Sequence, residues 1–78
     1  MFIYALINED NRIYVRMTNS LARRVKEHNS GYVFSTKGYL PWKLLYVEEV
    51  KTRQEARNRE KYLKSGIGKE FLKSIKPM

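Results

Sequence analysis

The sequence predicts an α+β fold, a small three-stranded and mainly antiparallel sheet flanked by helices. Two apolar runs rich in β-formers, Phe2 to Ile7 and Trp42 to Val50, read as strands, and Arg12 to Arg16 alternates polar with apolar between them. Two further segments repeat their apolar residues at helical spacing. With 78 residues the chain has room for one domain, 1–78, whose core is small and whose stability is modest. A ferredoxin-like arrangement shares the class but needs a fourth strand, which the pattern does not offer.

Each element has a local reason. Asn8-Glu9-Asp10-Asn11 is a turn cluster, because Asn and Asp tolerate left-handed backbone and bond to their own chain. It makes the first two strands a hairpin, with Ile13 and Val15 on one face of the second strand and Arg12, Tyr14 and Arg16 on the other. Asn19 or Ser20 caps a helix running to about Asn29, on which Leu21, Val25 and His28 form one stripe with Arg24 beside it. Ser30 to Pro41 has no helical period and reads as a loop. Thr52-Arg-Gln-Glu55 is a capping box, in which each side chain satisfies the other's backbone donor, and it opens a helix from Arg53 to Lys64. Gly66 and Gly68 are expected to end that helix, and a short basic helix, Lys69 to Ile75, follows.

Composition narrows the chemistry. Apolar residues at 42% and aromatics at 13% suffice for a packed core and exceed what a disordered tail carries. Without cysteine there are no disulfides or thiolate metal sites, and a single His rules out a multi-histidine centre. Any metal is therefore held by carboxylates and water, which suits a hard ion such as magnesium. No apolar run approaches the roughly 20 residues that span a bilayer. Met1-Phe2-Ile3-Tyr4 lacks the basic start of a signal peptide, so the chain reads as cytoplasmic, with no membrane span. Sixteen Lys and Arg against eight Asp and Glu give a net charge of +8. That excess serves either solubility or a nucleic-acid partner, and charge alone also admits an anionic membrane surface.

Several residues carry candidate chemistry. Ala56, Glu60 and Leu63 share one helix stripe, which sets a carboxylate on the face turned toward the core. Such a group needs a cation: Lys64 beside it, or a divalent metal completed by water. Arg24 and His28 lie one turn apart. The arginine has the fork geometry that clamps a phosphate, and the histidine can bond a phosphate oxygen, move a proton, or simply favour the helix end. Tyr4 and Tyr14 stand on adjacent strands, where packing is the ordinary role of a tyrosine. Tyr32, Phe34, Lys37 and Tyr39 mix aromatic with basic residues, which suits stacking on bases and suits a loop folded on its own domain equally well. Lys64, Lys69, Lys73 and Lys76 either follow a phosphate backbone or are solvated.

In combination these residues resemble the GIY-YIG endonuclease superfamily, specifically its small stand-alone members, which are similar to the N-terminal nuclease domain of the bacterial excision-repair endonuclease. The first motif appears as Phe2-Ile3-Tyr4 and the second as Tyr14-Val15-Arg16. Arg24 and His28 fall at the family's helical positions, and the segments from Ser35 to Tyr46 and from Ala56 to Ser65 resemble its loop, third strand and metal-binding helix. The resemblance implies a three-stranded sheet and hydrolysis of a DNA phosphodiester with a divalent metal, Mg2+ or Mn2+, in DNA repair or processing. It implies catalytic roles for Tyr4, Tyr14, Arg24 and His28 and a metal ligand at Glu60, with Arg16, Arg23, Lys37, Lys64 and Lys69 as contacts to the nucleic acid. A partner protein or domain for specificity is expected of so small a nuclease. Three positions depart from the pattern. Phe2 replaces the first glycine, Arg16 replaces the glycine of the second motif, and no polar residue among Lys69 to Met78 matches the family's C-terminal one. Arg16 adds bulk and charge beside Tyr14, which either blocks the phosphate site or supplies a phosphate contact. The alternatives to an active endonuclease are a nucleic-acid-binding module that lost turnover through Arg16, and a protein-interaction domain using residues Tyr32 to Trp42.

Overall fold

In the computed structural model, which describes residues 1–31, 38 and 40–75, the turn cluster builds the hairpin through its own side chain. Asn8 Oδ1 accepts the backbone N–H of Asp10 at 3.1 Å and of Arg12 at 2.8 Å, and Asn11 takes a left-handed φ of 62°. These bonds join β1 (Phe2–Ile7) to β2 (Ile13–Thr18) in an antiparallel pair that sets Tyr4 opposite Arg16 and Leu6 opposite Tyr14. The second strand extends past Arg16 because Met17 and Thr18 go on pairing with Ile3 and Phe2. β3 (Lys43–Glu49) pairs antiparallel with the other edge of β1, so the sheet order is β2-β1-β3.

Being central, β1 is covered on both faces, which accounts for its unbroken apolar run. Ile3 and Ala5 join Val15, Ala56, Leu63 and Leu72 in one core. Tyr4 and Leu6 join Trp42 in a second, against which Tyr14, Leu21 and Val25 pack. The alternation along one strand therefore divides the small core between two faces. α1 (Leu21–Asn29) belongs to the Tyr4 face. Ser20 holds its N-cap position without a side-chain cap, and its own N–H goes to Thr18 Oγ1 at 3.0 Å. Past the end of α1, Gly31 adopts φ 80°, the left-handed turn that stops a helix at little cost. Asn29 then grips Trp42 from both sides, donating to its carbonyl at 2.9 Å and accepting its N–H at 2.7 Å. The expectations for Tyr32, Phe34, Lys37 and Tyr39 lie outside the described residues.

α2 (Arg53–Lys64) has the predicted bounds. Thr52 Oγ1 accepts the Glu55 N–H at 3.1 Å, but the Glu55 carboxylate takes the Thr52 hydroxyl at 3.3 Å instead of its backbone N–H, so the capping box is made on one side only. Arg59 donates to both Glu48 carboxylate oxygens, at 2.9 and 3.1 Å, and Tyr46 adds its hydroxyl at 2.7 Å. This brace ties α2 to β3 one residue before Glu60.

The glycines behave differently from the expectation. α3 (Gly66–Ser74) begins at Gly66, so both glycines lie inside its first turn and do not separate it from α2. Ser65 serves both helices, closing α2 and accepting the Gly68 N–H at 3.3 Å. Gly68 is needed for close approach: a Cβ there would run into the Tyr62 carbonyl and the backbone of Leu63.

Candidate active site

Because β2 is an edge strand, side chains from helices on opposite faces of the sheet can meet around it. Tyr14, Arg16 and Arg24 approach from the α1 side, and Arg57, Glu60 and Lys61 from α2. Together they line an open cavity of about 700 Å³. Among the described residues Glu60 is its one carboxylate.

Behind the cavity lies a buried polar pair. Tyr4 Oη lies 2.9 Å from His28 Nε2, and the nearby Arg24 guanidinium partly offsets the effect of burial on the Tyr4 phenol. Both Tyr4 and His28 have 0% accessibility. Burial raises the Tyr4 phenol above its ordinary 10.0, so Tyr4 stays protonated beside His28. The His28 ring also meets Tyr14 edge-on, with centroids 5.2 Å apart. Arg24 is held from outside by Glu27, at 2.9 Å.

Burial, and then the positive charge of Arg24, push the His28 pKa below its ordinary 6.5. The folded protein thus binds this proton less well than the unfolded chain. The resulting stability is complete above pH 6.5 and is lost as pH falls through the lowered folded value. Glu48, whose carboxyl is held below its ordinary 4.5 first by its bond to Arg59, adds its own loss only in more acidic solution. The melting temperature is expected to fall between pH 7 and about 5, and His28→Gln to flatten that slope. Parallel pH slopes for the two proteins in a thermal melt series would contradict the assignment.

Arg16 occupies the mouth of the cavity. Its Nε donates to Tyr14 Oη at 2.8 Å, and its guanidinium carbon lies 5.4 Å from the centre of the Tyr14 ring. The bond to Tyr14 is the first cause of a raised Arg16 pKa. Glu60 sits at the rim and is not deeply buried, with 16% of its side chain accessible and Lys64 Nζ at 3.9 Å. Among the described residues no group of three or more His, Asp or Glu side chains is placed to hold a metal ion. One carboxylate nevertheless fits magnesium, which keeps most of its waters and is commonly held by one or two carboxylates together with substrate phosphates. The cations around Glu60 would repel a metal ion held by this carboxylate alone, so one would be held there only together with an anionic phosphate.

The structure thus brings together Tyr14, Arg16, Arg24 and Glu60, with Tyr4 and His28 directly behind them. Lys64 and Lys69 line a neighbouring cavity that shares Tyr14 and Arg16 with this one. Arg23 lines an adjoining depression that shares Met17 and Arg24 with this cavity, and Lys37 is outside the described residues. The sequence reading missed Arg57 and Lys61. Their signal was helical spacing: Arg57, Glu60, Lys61 and Lys64 share one face of α2.

The family model described as the GIY-YIG catalytic domain matches residues 1–71. The chain is 39% identical to a UPF0213 protein of Clostridium perfringens over 75 residues, covering 95% of this chain and 81% of that protein. It is also 39% identical to the UPF0213 protein YazA of Bacillus subtilis over 64 residues, 81% of this chain and 65% of the relative. The solution NMR structure of a UPF0213 protein from Bacillus halodurans has the same fold, with a TM-score of 0.58 at 32% identity over 96% of this chain and 83% of that one. Three antiparallel strands, the two tyrosine motifs and the match over nearly the whole chain lead to one assignment: the protein belongs to the GIY-YIG nuclease family.

Proposed function

We propose that this chain is a one-domain, metal-dependent DNA endonuclease that works in the cytoplasm on DNA to be repaired or processed. The observation that carries the reading is the convergence of Tyr14, Arg24 and Glu60 on one solvent-open cavity whose other charged residues are all cationic. A phosphodiester is a negatively charged group that gains charge as it is attacked, and such a cavity favours it at both stages. Arg24 neutralises the phosphate with its planar fork, held in register by Glu27. Tyr14 assists removal of a proton from the attacking water at its phenolic oxygen, and the buried Tyr4 and His28 brace the Tyr14 ring from behind. Glu60 holds Mg2+ or Mn2+, which when bound polarises the phosphate and stabilises the leaving oxygen.

A second reading has a specific observation behind it. Arg16 Nε already engages the Tyr14 oxygen that is to take the proton. The bond is solvent-exposed and worth about 0.5–1.5 kcal/mol, so releasing Tyr14 is expected to speed cleavage by up to roughly tenfold. The test incubates plasmid, single-stranded and branched DNA with magnesium or manganese, and with chelator, using the unchanged protein and Arg16→Gly. Metal-dependent cleavage by the unchanged protein, faster in the variant, supports an endonuclease restrained by Arg16. Cleavage by Arg16→Gly alone supports a binding module silenced at one position. Cleavage by neither overturns the nuclease reading.

A further inference from the structure

A second cavity, of about 500 Å³, opens on the other side of Arg16. Arg16 contributes from β2, Lys64 from the end of α2, and Lys69 and Lys73 from α3. Ile13 and Val15 form an apolar part of its wall, and among the described residues no carboxylate lines it. Both Tyr14 and Arg16 line this cavity as well as the candidate active site, so the two are continuous around one pair of side chains.

Its charge is not explained by the fold. Lys69 and Lys73 are one helical turn apart on the same face, a spacing at which like charges repel. Lys64 and Arg16 bring two more cations to the same concavity. The carboxylates that approach from outside it are loosely paired: Glu60 is 3.9 Å from Lys64 and Glu70 is 3.8 Å from Lys73. Such a cluster is relieved of its internal repulsion when an anion enters it. Lysines on exposed, flexible stems act as point charges and accept a phosphate in many orientations, whereas Arg24 is held in one. A wall of Ile and Val beside such cations suits a sugar, and the volume is that of a small-molecule site.

We propose that this cavity is a second nucleotide site, which holds the phosphate and sugar that flank the scissile phosphate on the same nucleic-acid strand. The inference rests on the proposed DNA-binding reading and adds to it where the strand runs: past Arg16 and onto α3. Lys64, Lys69 and Lys73 take the flanking phosphates, and Arg16 stands between the two sites as their common wall.

The test measures binding of a fluorescein-labelled single-stranded oligonucleotide by anisotropy across a salt series. The unchanged protein is compared with Lys69→Ala/Lys73→Ala and with Lys43→Ala/Lys51→Ala, which removes the same charge elsewhere. The slope of log affinity against log salt is expected to fall by roughly 0.7 for each phosphate that the first variant no longer neutralises, and to stay unchanged in the second. Thermal melts of both variants show that they fold. Equal slopes in all three proteins, or the same decrease in both variants, would overturn the second site while leaving DNA binding in place. No binding by the unchanged protein at low salt overturns the DNA reading itself, and this site with it. Binding to anionic vesicles that is abolished in the first variant, without a matching change on DNA, assigns the cavity to a membrane surface and rejects the proposal.

Discussion

Glu60→Gln is expected to lower metal-dependent DNA cleavage by roughly a thousandfold while leaving the melting temperature nearly unmoved. The size follows from what the carboxylate does in the proposed site. Among the described residues it is the one carboxylate in a cavity whose other charged side chains are Arg16, Arg24, Arg57 and Lys61, so no neighbouring carboxylate can replace it as a ligand. Glutamine keeps the shape and the carbonyl oxygen but removes the charge that binds a hard cation. The several kcal/mol of charge stabilisation supplied by the ion then disappear. Stability is insulated for a separate reason: Glu60 has one ion-pair partner, Lys64 at 3.9 Å, and pairs of that kind near the surface are worth about 0.3–0.5 kcal/mol. DNA binding at low salt is expected to be kept or strengthened, because the substitution removes a negative charge from a basic cavity. A variant that cleaves at the rate of the unchanged protein would place the metal elsewhere. One that loses both cleavage and its cooperative melt would make Glu60 a structural residue.

The sequence read well wherever function and fold rest on local rules. The Asn8 turn, the Thr52 cap and the stripe of Leu21, Val25 and His28 each follow from a few neighbouring residues, and each element stands where they place it. The setting of His28 was half legible. The helix face it shares with Arg24 could be read, but the Tyr4 hydroxyl it meets comes from β1, 24 residues away. Arg57 and Lys61 were missed because a charged residue on a helix face is ordinary until the edge strand beside it is known. The role of Gly66 and Gly68 was misread for a related reason. A glycine after a helix usually stops it, whereas here Ser65 makes the stop and Gly68 lets two helices approach closely. That distinction lies in the distance between backbones, which no local pattern carries.

Gly68→Ala is accordingly expected to cost about 3 kcal/mol or more, and to lower the melting temperature by roughly 12–24 °C. The added methyl would collide with the Tyr62 carbonyl and lie 2.5 Å from Leu63 Cα, both of them backbone that cannot swing aside. Relief requires α3 to move away from α2. Leu72 and Leu63, each with 0% accessibility, would then part in the core of the Ile3 face. In a domain whose total stability is of the order of 5–15 kcal/mol, that is a large fraction. Gly66→Ala supplies the control, since nothing lies within 4 Å of its Cβ position and it sits in the same helical turn. There the substitution is expected to be neutral or to stabilise by up to about 1 kcal/mol, because alanine has less freedom to lose than glycine. Equal melts for the two variants would show that the helices do not touch at Gly68. The displacement also carries Lys69 and Lys73 away from β2, so a Gly68→Ala protein that still folds should bind DNA with the reduced salt slope of the lysine double variant. A stability change at a glycine that touches no DNA would then report on where the strand lies.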